Sequence, residues 1–337
     1  MNTTIKRAIP WVLALFILLA GMEWMAARFV WNQLDAQYRD APPGALRAVY
    51  IGDHDYWWRV RPNLEAVRVA FVDPPGYERA WLDEPFYVST DEAGLRLTPE
   101  APTGAPRVLA LGDSTTFGYG AADDETWPAH LARILAEEAV RIDNAGVPGH
   151  SAFQGTRAFE GRWRANAYDV VIITFGYNDA RVWDGFSDPQ HAEQFAPIST
   201  TASGPWAWRV ATYAMNRLGG GDAFTPRAPD APRLSPLAFR AQLAQLVRAV
   251  RAAGAVPILL VWPRRGSLAA GATPDPYAAV QGELAKEQDV ARVDLRDLGS
   301  AQLELLYIDA VHVGPAGNAA IAELLAPAVR DALNDAR

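Results

Sequence analysis

Three residues of this chain, Ser114, Asp309 and His312, have the types and loop positions from which acyl-transfer chemistry is built. Ser114 follows the apolar run Val108–Leu111, in the segment Gly112-Asp113-Ser114-Thr115-Thr116-Phe117-Gly118. That loop lacks the lysine of a phosphate-binding P-loop and the glycine spacing of a dinucleotide fingerprint. It offers instead a hydroxyl at a strand's carboxyl end, where open α/β sheets build their sites. A serine hydroxyl is a poor nucleophile until a base takes its proton and a third group orients that base. The chain has five histidines and no cysteine, which removes thiolate nucleophiles, thiolate zinc sites and disulfides from consideration. His130 falls in an amphipathic helix, and His54 and His191 sit in irregular segments with no evident orienting acid. His312 differs, because Asp309 precedes it by three residues on a loop before the last helix, close enough for the carboxylate to reach the ring.

A tetrahedral intermediate also needs donors for its oxyanion. The loop Asn144-Ala145-Gly146-Val147-Pro148-Gly149-His150-Ser151 leaves backbone N–H groups open at its glycines, and Gly176-Tyr177-Asn178-Asp179 brings the Asn178 amide. Ser151 is a rival nucleophile, since Gly149-His150-Ser151 is the first half of a nucleophile elbow. The closing glycine is missing and no acid and histidine follow in the required pattern, so an N-cap is the better reading.

The ordered set of Gly-Asp-Ser, a glycine after the second strand, Gly-Tyr-Asn-Asp and Asp-x-x-His resembles the SGNH (GDSL-type) serine hydrolases over roughly residues 107–337. The resemblance implies Ser114 as nucleophile with its own N–H as one oxyanion donor, and Gly149 N–H and Asn178 as the others. Gly146 is the fallback for Gly149. Asp309 and His312 would complete the triad, and no metal or organic cofactor is implied. Thr115 stands where the eponymous motif has leucine, and Tyr177 where glycine is commoner; neither change removes a reacting group. Asp113, Tyr177 and Trp183 are candidate substrate contacts, with Asp113 otherwise an orienting acid of the loop or a plain turn residue.

The elements that must hold these loops are strands alternating with helices from Arg107 on. Apolar runs at 108–111, 141–145, 170–175, 256–261 and 291–295 alternate with helical patterns at 126–140, 151–165, 236–253, 277–287 and 315–332. Such alternation implies a three-layer α/β/α sandwich with a mainly parallel, flavodoxin-like sheet. Between Ala180 and Leu234 the periodicity fails, in a stretch holding Trp183, Phe186, Trp206, Trp208, Phe224 and the run Gly219-Gly220-Gly221. We take 180–234 as an irregular Trp-rich insertion. Its tryptophans would either stack on sugar rings or pack the loop onto the domain.

Ahead of this domain, residues 31–104 read as a tether, containing Ala41-Pro42-Pro43-Gly44, followed by a small β-rich accessory segment that includes Tyr56–Pro62 and Pro85–Thr90. Asp53-His54-Asp55 reads as a solvated turn rather than a metal site, because no second ligand cluster accompanies it. Residues 1–30 carry an apolar run from Ala8 to Met22 that extends to Ala27 with Glu23 as its one acid, about 30 Å of helix and enough to cross a bilayer. Signal-peptide cleavage would need small residues at both the third and the first position before the cut, and the candidates ending at Ala20, Gly21, Ala26 or Ala27 have Leu18, Leu19, Trp24 or Met25 at the earlier one. An uncleaved anchor is therefore expected, with Trp11, Trp24 and Trp31 near the interfaces and Lys6 and Arg7 on the cytoplasmic side. The rest of the chain would lie outside the cytoplasm, in the periplasm of a Gram-negative cell.

The formal net charge of -8 argues against a nucleic-acid surface. The expected activity is hydrolysis of O-acyl esters, acetyl esters of envelope polysaccharide first. O-acyl transfer to a sugar hydroxyl, a lipase or lysophospholipase activity, and a non-catalytic envelope scaffold are the alternatives. The partners so implied are an acylated small molecule, glycan or lipid and, through the first helix, the membrane.

Overall fold

The computed structural model describes residues 3–42, 44–70, 85–199, 202–219, 230–269 and 271–336, and the side chains of the first helix from position 11 on except 31, 33, 34 and 37. Pro43, Gly220, Gly221, Phe224 and the side chains of Lys6, Arg7 and Trp31 lie outside the described residues.

Five parallel strands form the centre: β5 (Arg107–Gly112), β6 (Arg141–Gly146), β7 (Val170–Thr174), β8 (Val256–Val261) and β9 (Ala291–Asp294), in the order β6-β5-β7-β8-β9. The strands alternate side chains between two covered faces, so both registers must be apolar. In β5, Val108 and Ala110 join Trp127 and Leu131 of α3 (Trp127–Ile134) and Ile321, Leu325 and Val329 of α10 (Pro315–Asp335). Leu109 and Leu111 face the other way, onto α4 (Ala152–Ala158), α7 (Pro236–Ala252) and α8 (Pro276–Glu287). This is the expected α/β/α sandwich, and its chain order reverses between β5 and β7. That reversal is the switch point where open sheets leave a crevice.

Before the sheet, β1 (Tyr50–Asp53) pairs antiparallel with β2 (Trp57–Val60), and β3 (Val67–Val69) with β4 (Phe86–Val88). Their buried Tyr50, Trp57, Trp58, Val60, Phe86 and Val88 form one apolar cluster with Phe117 of α2 (Ser114–Phe117). The accessory segment therefore packs directly beside the Ser114 loop. The 53–55 turn is only partly solvated: Asp53 and Asp55 are partly exposed and Asp53 Oδ1 accepts from the N–H groups of Asp55 and Tyr56, but His54 is buried and its Nδ1 bonds to Ile198 O at 3.0 Å.

Helix α1 runs from Thr3 to Arg39, further than the expected anchor, because no proline or glycine interrupts residues 31–39 and Tyr38 packs edge-on against Tyr50. Within it, Trp11–Val30 is long and apolar enough to cross a membrane; residues 11–20 are all exposed, and burial begins only toward its end, at Val30. The stretch read as irregular contains two helices, α5 (Asp188–Phe195) and α6 (Trp206–Gly219). Ser187 caps α5 in a capping box with Gln190, a signal short enough to escape an apolar-periodicity reading. Conversely, α3 stops at Ile134 and the chain turns into β6 through Ala139 at φ +54°. A further short helix, α9 (Ser300–Leu306), precedes the last loop.

Candidate active site

Ser114 opens α2 directly after β5, held there by Asp113 as N-cap. Asp113 Oδ1 accepts from Thr115 N at 2.9 Å and Thr115 Oγ1 at 2.8 Å, and its Oδ2 accepts from Asn178 Nδ2 at 3.0 Å. The carboxylate is buried, which pushes its pKa up against the pull of these hydrogen bonds. Asp113 thus joins the loops after β5 and β7, and the substrate contact expected for it is corrected: both its oxygens point into the protein. Thr115, the departure from the family motif, supplies two of its donors.

The Asp309–His312 loop is a tight turn closed by the bridge Tyr307↔Val313, with Ile308 N donating to His312 O at 2.8 Å and Trp262 Nε1 to Val311 O at 2.7 Å. Asp309 Oδ1 accepts from the N–H groups of Val311 and His312, so its carboxylate cannot swing away. Its Oδ2 lies 2.6 Å from His312 Nδ1, and His312 Nε2 lies 2.7 Å from Ser114 Oγ. Burial raises the Asp309 pKa, but the hydrogen bonds and charge of His312 outweigh it and hold the carboxyl below its ordinary value. With the Nδ1 proton directed at Asp309, Nε2 is the acceptor for the Ser114 hydroxyl. Sequence positions separated by nearly two hundred residues meet in one hydrogen-bonded chain.

Gly149 has φ +86°, a conformation that favours glycine, and a Cβ there would crowd Trp58 Cζ2 at 3.1 Å. The orientation of its N–H is set by the preceding carbonyl, because both belong to one planar trans peptide. Pro148 O accepts from Trp58 Nε1 at 3.0 Å and from Tyr50 OH at 3.3 Å. The following peptide is held as well, with Arg233 Nη1 donating to Gly149 O at 2.6 Å. Among the described residues no acceptor takes the N–H of Ser114 or of Gly149. Gly146, the fallback, is unavailable: its N–H donates to Asn144 Oδ1, and a Cβ would sit 2.1 Å from Phe117 N. Asn178 Nδ2 gives its two hydrogens to Asp113 Oδ2 and His150 O, the latter at 3.1 Å. To serve an oxyanion it must share or exchange the longer bond.

Ser114, Gly149, Asn178 and His312 open into a cavity of about 620 Å³, walled by Tyr50, Trp58, Tyr119, Tyr177 and Trp183 among others. Tyr177 and Trp183, the candidate substrate contacts, both line this cavity. Trp206 instead packs against His54, and Trp208 is exposed, so the three tryptophans of the insertion do different things. Tyr38, Leu46 and Arg47 from the N-terminal segment reach the same cavity, as does Arg181.

Ser151 is an N-cap, its Oγ hydrogen-bonded to the buried carboxylate of Asp188. Burial holds His150 down at about 3, and its Nε2 donates to Trp58 O, so it is no base. His191 is not without an acid, since Asp184 Oδ1 lies 3.1 Å from its Nε2, but it is boxed by Trp57, Trp183 and Phe195 rather than facing a serine. His130 bonds to Arg133 on α3. Sequence reasoning missed Arg233 and Asp188, a buried bidentate ion pair at 2.9 and 3.0 Å, and gave no role to Trp58 or Tyr50. No motif flags these residues, because the partners that tie them to the site lie 37 to 98 positions away.

The fold and site define a hydrolase of ester bonds. The model of the GDSL-like lipase/acylhydrolase family matches residues 110–320, and the chain belongs to that family. Comparison with curated proteins gave no match. Solved structures that the chain is similar to include an acetyl xylan esterase, at 16% identity over 66% of this chain and 99% of that one with a TM-score of 0.46. Others are the lipase/acylhydrolase from Enterococcus faecalis, at 18% identity over 67% and 96% with a TM-score of 0.44, and the psychrotrophic esterase EstA from Pseudoalteromonas sp., at 15% over 68% and 98% with 0.44.

Proposed function

We propose that Ser114, His312 and Asp309 are the catalytic triad of a membrane-anchored serine esterase. The carrying observation is the unbroken hydrogen-bond chain from Asp309 through His312 to Ser114, opening into a cavity beside two unclaimed backbone N–H groups. His312 Nε2 takes the Ser114 proton as Oγ bonds to the ester carbonyl carbon. The oxyanion is held by the N–H groups of Ser114 and Gly149 and by Asn178. As the carbonyl re-forms, the C–O bond to the alcohol breaks and His312 returns the proton to the leaving oxygen. Water gives a proton to His312 and bonds to the acyl carbon; the bond to Ser114 Oγ then breaks, His312 returns the proton to Oγ, and the acid is released.

The substrate we favour is an O-acyl, chiefly O-acetyl, ester of an envelope polysaccharide. The aromatic walls of the cavity, Trp183 above all, suit the flat apolar faces of sugar rings. A sugar hydroxyl replacing water would give an O-acyltransferase with the same residues. Residues 1–30 act as the anchor, 31–104 complete the site, and 105–337 form the hydrolase domain outside the cytoplasm, with 180–234 as its insertion. The apolar and largely exposed Trp11–Val30 supports the anchor.

Labelling with a fluorophosphonate probe tests the nucleophile: the wild type should label and Ser114→Ala should not. Equal labelling would show that another residue reacts. Product analysis with acetylated oligosaccharides, with and without an acceptor sugar, separates hydrolysis from transfer. Release of the intact chain from membranes without detergent would sink the anchor.

A further inference from the structure

Glu23 is the one acid inside the apolar stretch Trp11–Val30. A carboxylate at such a position is tolerated where a partner takes its charge. Its partners are on α6: Glu23 accepts from Trp206 N and, at 3.1 Å, from Ala207 N. These are N–H groups of the helix's first turn, which have no acceptor inside the helix and carry the positive end of its dipole. Counting about 1.5 Å per residue, Glu23 lies roughly 10 Å before Val30 along α1. Helix α6 therefore begins at the level of the last turns of the apolar stretch, beside it.

The two sides of α6 differ in character. On the inner side, the Arg209 guanidinium sits 3.7 Å from the centre of the Trp206 ring, Arg209 Nε donates to Pro197 O at 2.9 Å, and Trp206 packs against His54. The outer side carries Trp208, Ala211, Met215 and Leu218, spaced i, i+3, i+7 and i+10, so that all four share one face. All are exposed, with Trp208 at 66%, Met215 at 55% and Leu218 at 88%, and none is charged. An exposed apolar stripe of this kind calls for an occupant. The helix it packs against, α1, carries an exposed apolar surface of its own, Trp11 to Leu19 among it.

We infer that α6 is a second membrane-contacting helix, lying in the plane of the outer bilayer interface with Trp208, Met215 and Leu218 in the lipid. This rests on the reading that α1 crosses the bilayer. A helix of this type buries its apolar face about 5–10 Å into the boundary between headgroups and acyl chains, which matches the depth of Glu23. The Glu23 contact and the Arg209 and Trp206 contacts bind α6 to both the anchor and the domain, so α6 fixes how the domain sits on the membrane. Tyr38, which lines the cavity, is about 12 Å beyond Val30 along α1. The site is thereby presented to esters close to the membrane surface.

The native chain has no cysteine, so single-cysteine variants of the full chain carry a label at one known place. Trp208→Cys, Leu218→Cys, Leu15→Cys in α1, and Leu237→Cys and Leu305→Cys elsewhere would be labelled with an environment-sensitive fluorophore. Each would be reconstituted in phosphatidylcholine/phosphatidylglycerol vesicles bearing nitroxide-labelled lipids. Labels at 15, 208 and 218 should lose about half their emission to the nitroxides, as expected for groups within ~5–10 Å of the headgroup boundary, and those at 237 and 305 should keep theirs. Quenching at 15 without quenching at 208 and 218 overturns the inference and leaves the anchor standing. No quenching at 15 removes the anchor reading and the inference with it. Crosslinking of two Leu218→Cys chains without lipid quenching assigns the stripe to a second copy and also overturns it.

Discussion

Trp58 Nε1 donates to Pro148 O at 3.0 Å, and through that bond the accessory segment reaches the candidate oxyanion hole. The carbonyl and the Gly149 N–H are opposite ends of one rigid peptide unit, so whatever grips the oxygen aims the donor. Tyr50 OH grips the same oxygen from the neighbouring strand. A segment with no reacting group of its own is in this way part of the site.

Replacing Trp58 by phenylalanine keeps an aromatic wall and removes the donor. One net hydrogen bond is worth about 1 kcal/mol, so kcat of Trp58→Phe should fall about 5- to 10-fold, with KM little altered. Steady-state kinetics on a small acyl ester measures this. A wild-type kcat would mean that the Pro148 peptide needs no help from Trp58.

Arg233 and Asp188 are both buried and form a bidentate pair, and Arg233 also holds Gly149 O and Gln154. Removing one partner leaves a buried charge without compensation, which costs about 3–5 kcal/mol. Arg233→Met should lose stability of that order in urea unfolding, and Arg233→Met with Asp188→Leu should recover part of it. A double variant no more stable than the single one would contradict the charge-burial explanation.

Asp309 holds the ring of His312 by Nδ1 and is itself held by two backbone N–H groups. In Asp309→Asn the amide can offer N–H to Nδ1, which reverses the tautomer and leaves Nε2 protonated toward Ser114. The fold should persist and kcat should fall about 10⁴-fold. A loss under tenfold would remove Asp309 from the proposed triad.

His150 is buried and its pKa is lowered to about 3, burial being the main cause, with the Trp58 hydrogen bond opposing and Arg233 adding to it. An unfolded histidine takes its proton near pH 6.5, so between there and about pH 3 the unfolded state binds a proton that the folded state refuses. This contribution to stability is complete above about pH 6.5 and is lost as the pH falls through that window. His150→Gln should reduce the difference in unfolding free energy between about pH 7 and about pH 4.5 by roughly 2–3 kcal/mol. Denaturant titrations at the two pH values test this, and an unchanged difference would assign the acid sensitivity to other groups.

The chain's own order of residues determined the α/β alternation, the apolar N-terminal helix, and the short-range chemistry of the Ser114, Asn178 and Asp309–His312 loops. These are local features: a period of two or of 3.6, a run of apolar residues, an acid three positions from a histidine. The choice between Gly149 and Gly146 was different, because it turns on one glycine lying against Phe117 and the other facing the cavity. Asp113 likewise was read as a contact for substrate and is a strut between two loops. The helices of the insertion, the grip of Trp58 and Tyr50 on Pro148, the Arg233–Asp188 pair and the clasp of Glu23 on α6 were decided by tertiary structure alone. Each depends on groups brought together across long stretches of chain, and a single buried donor or charge leaves no periodic trace along a sequence.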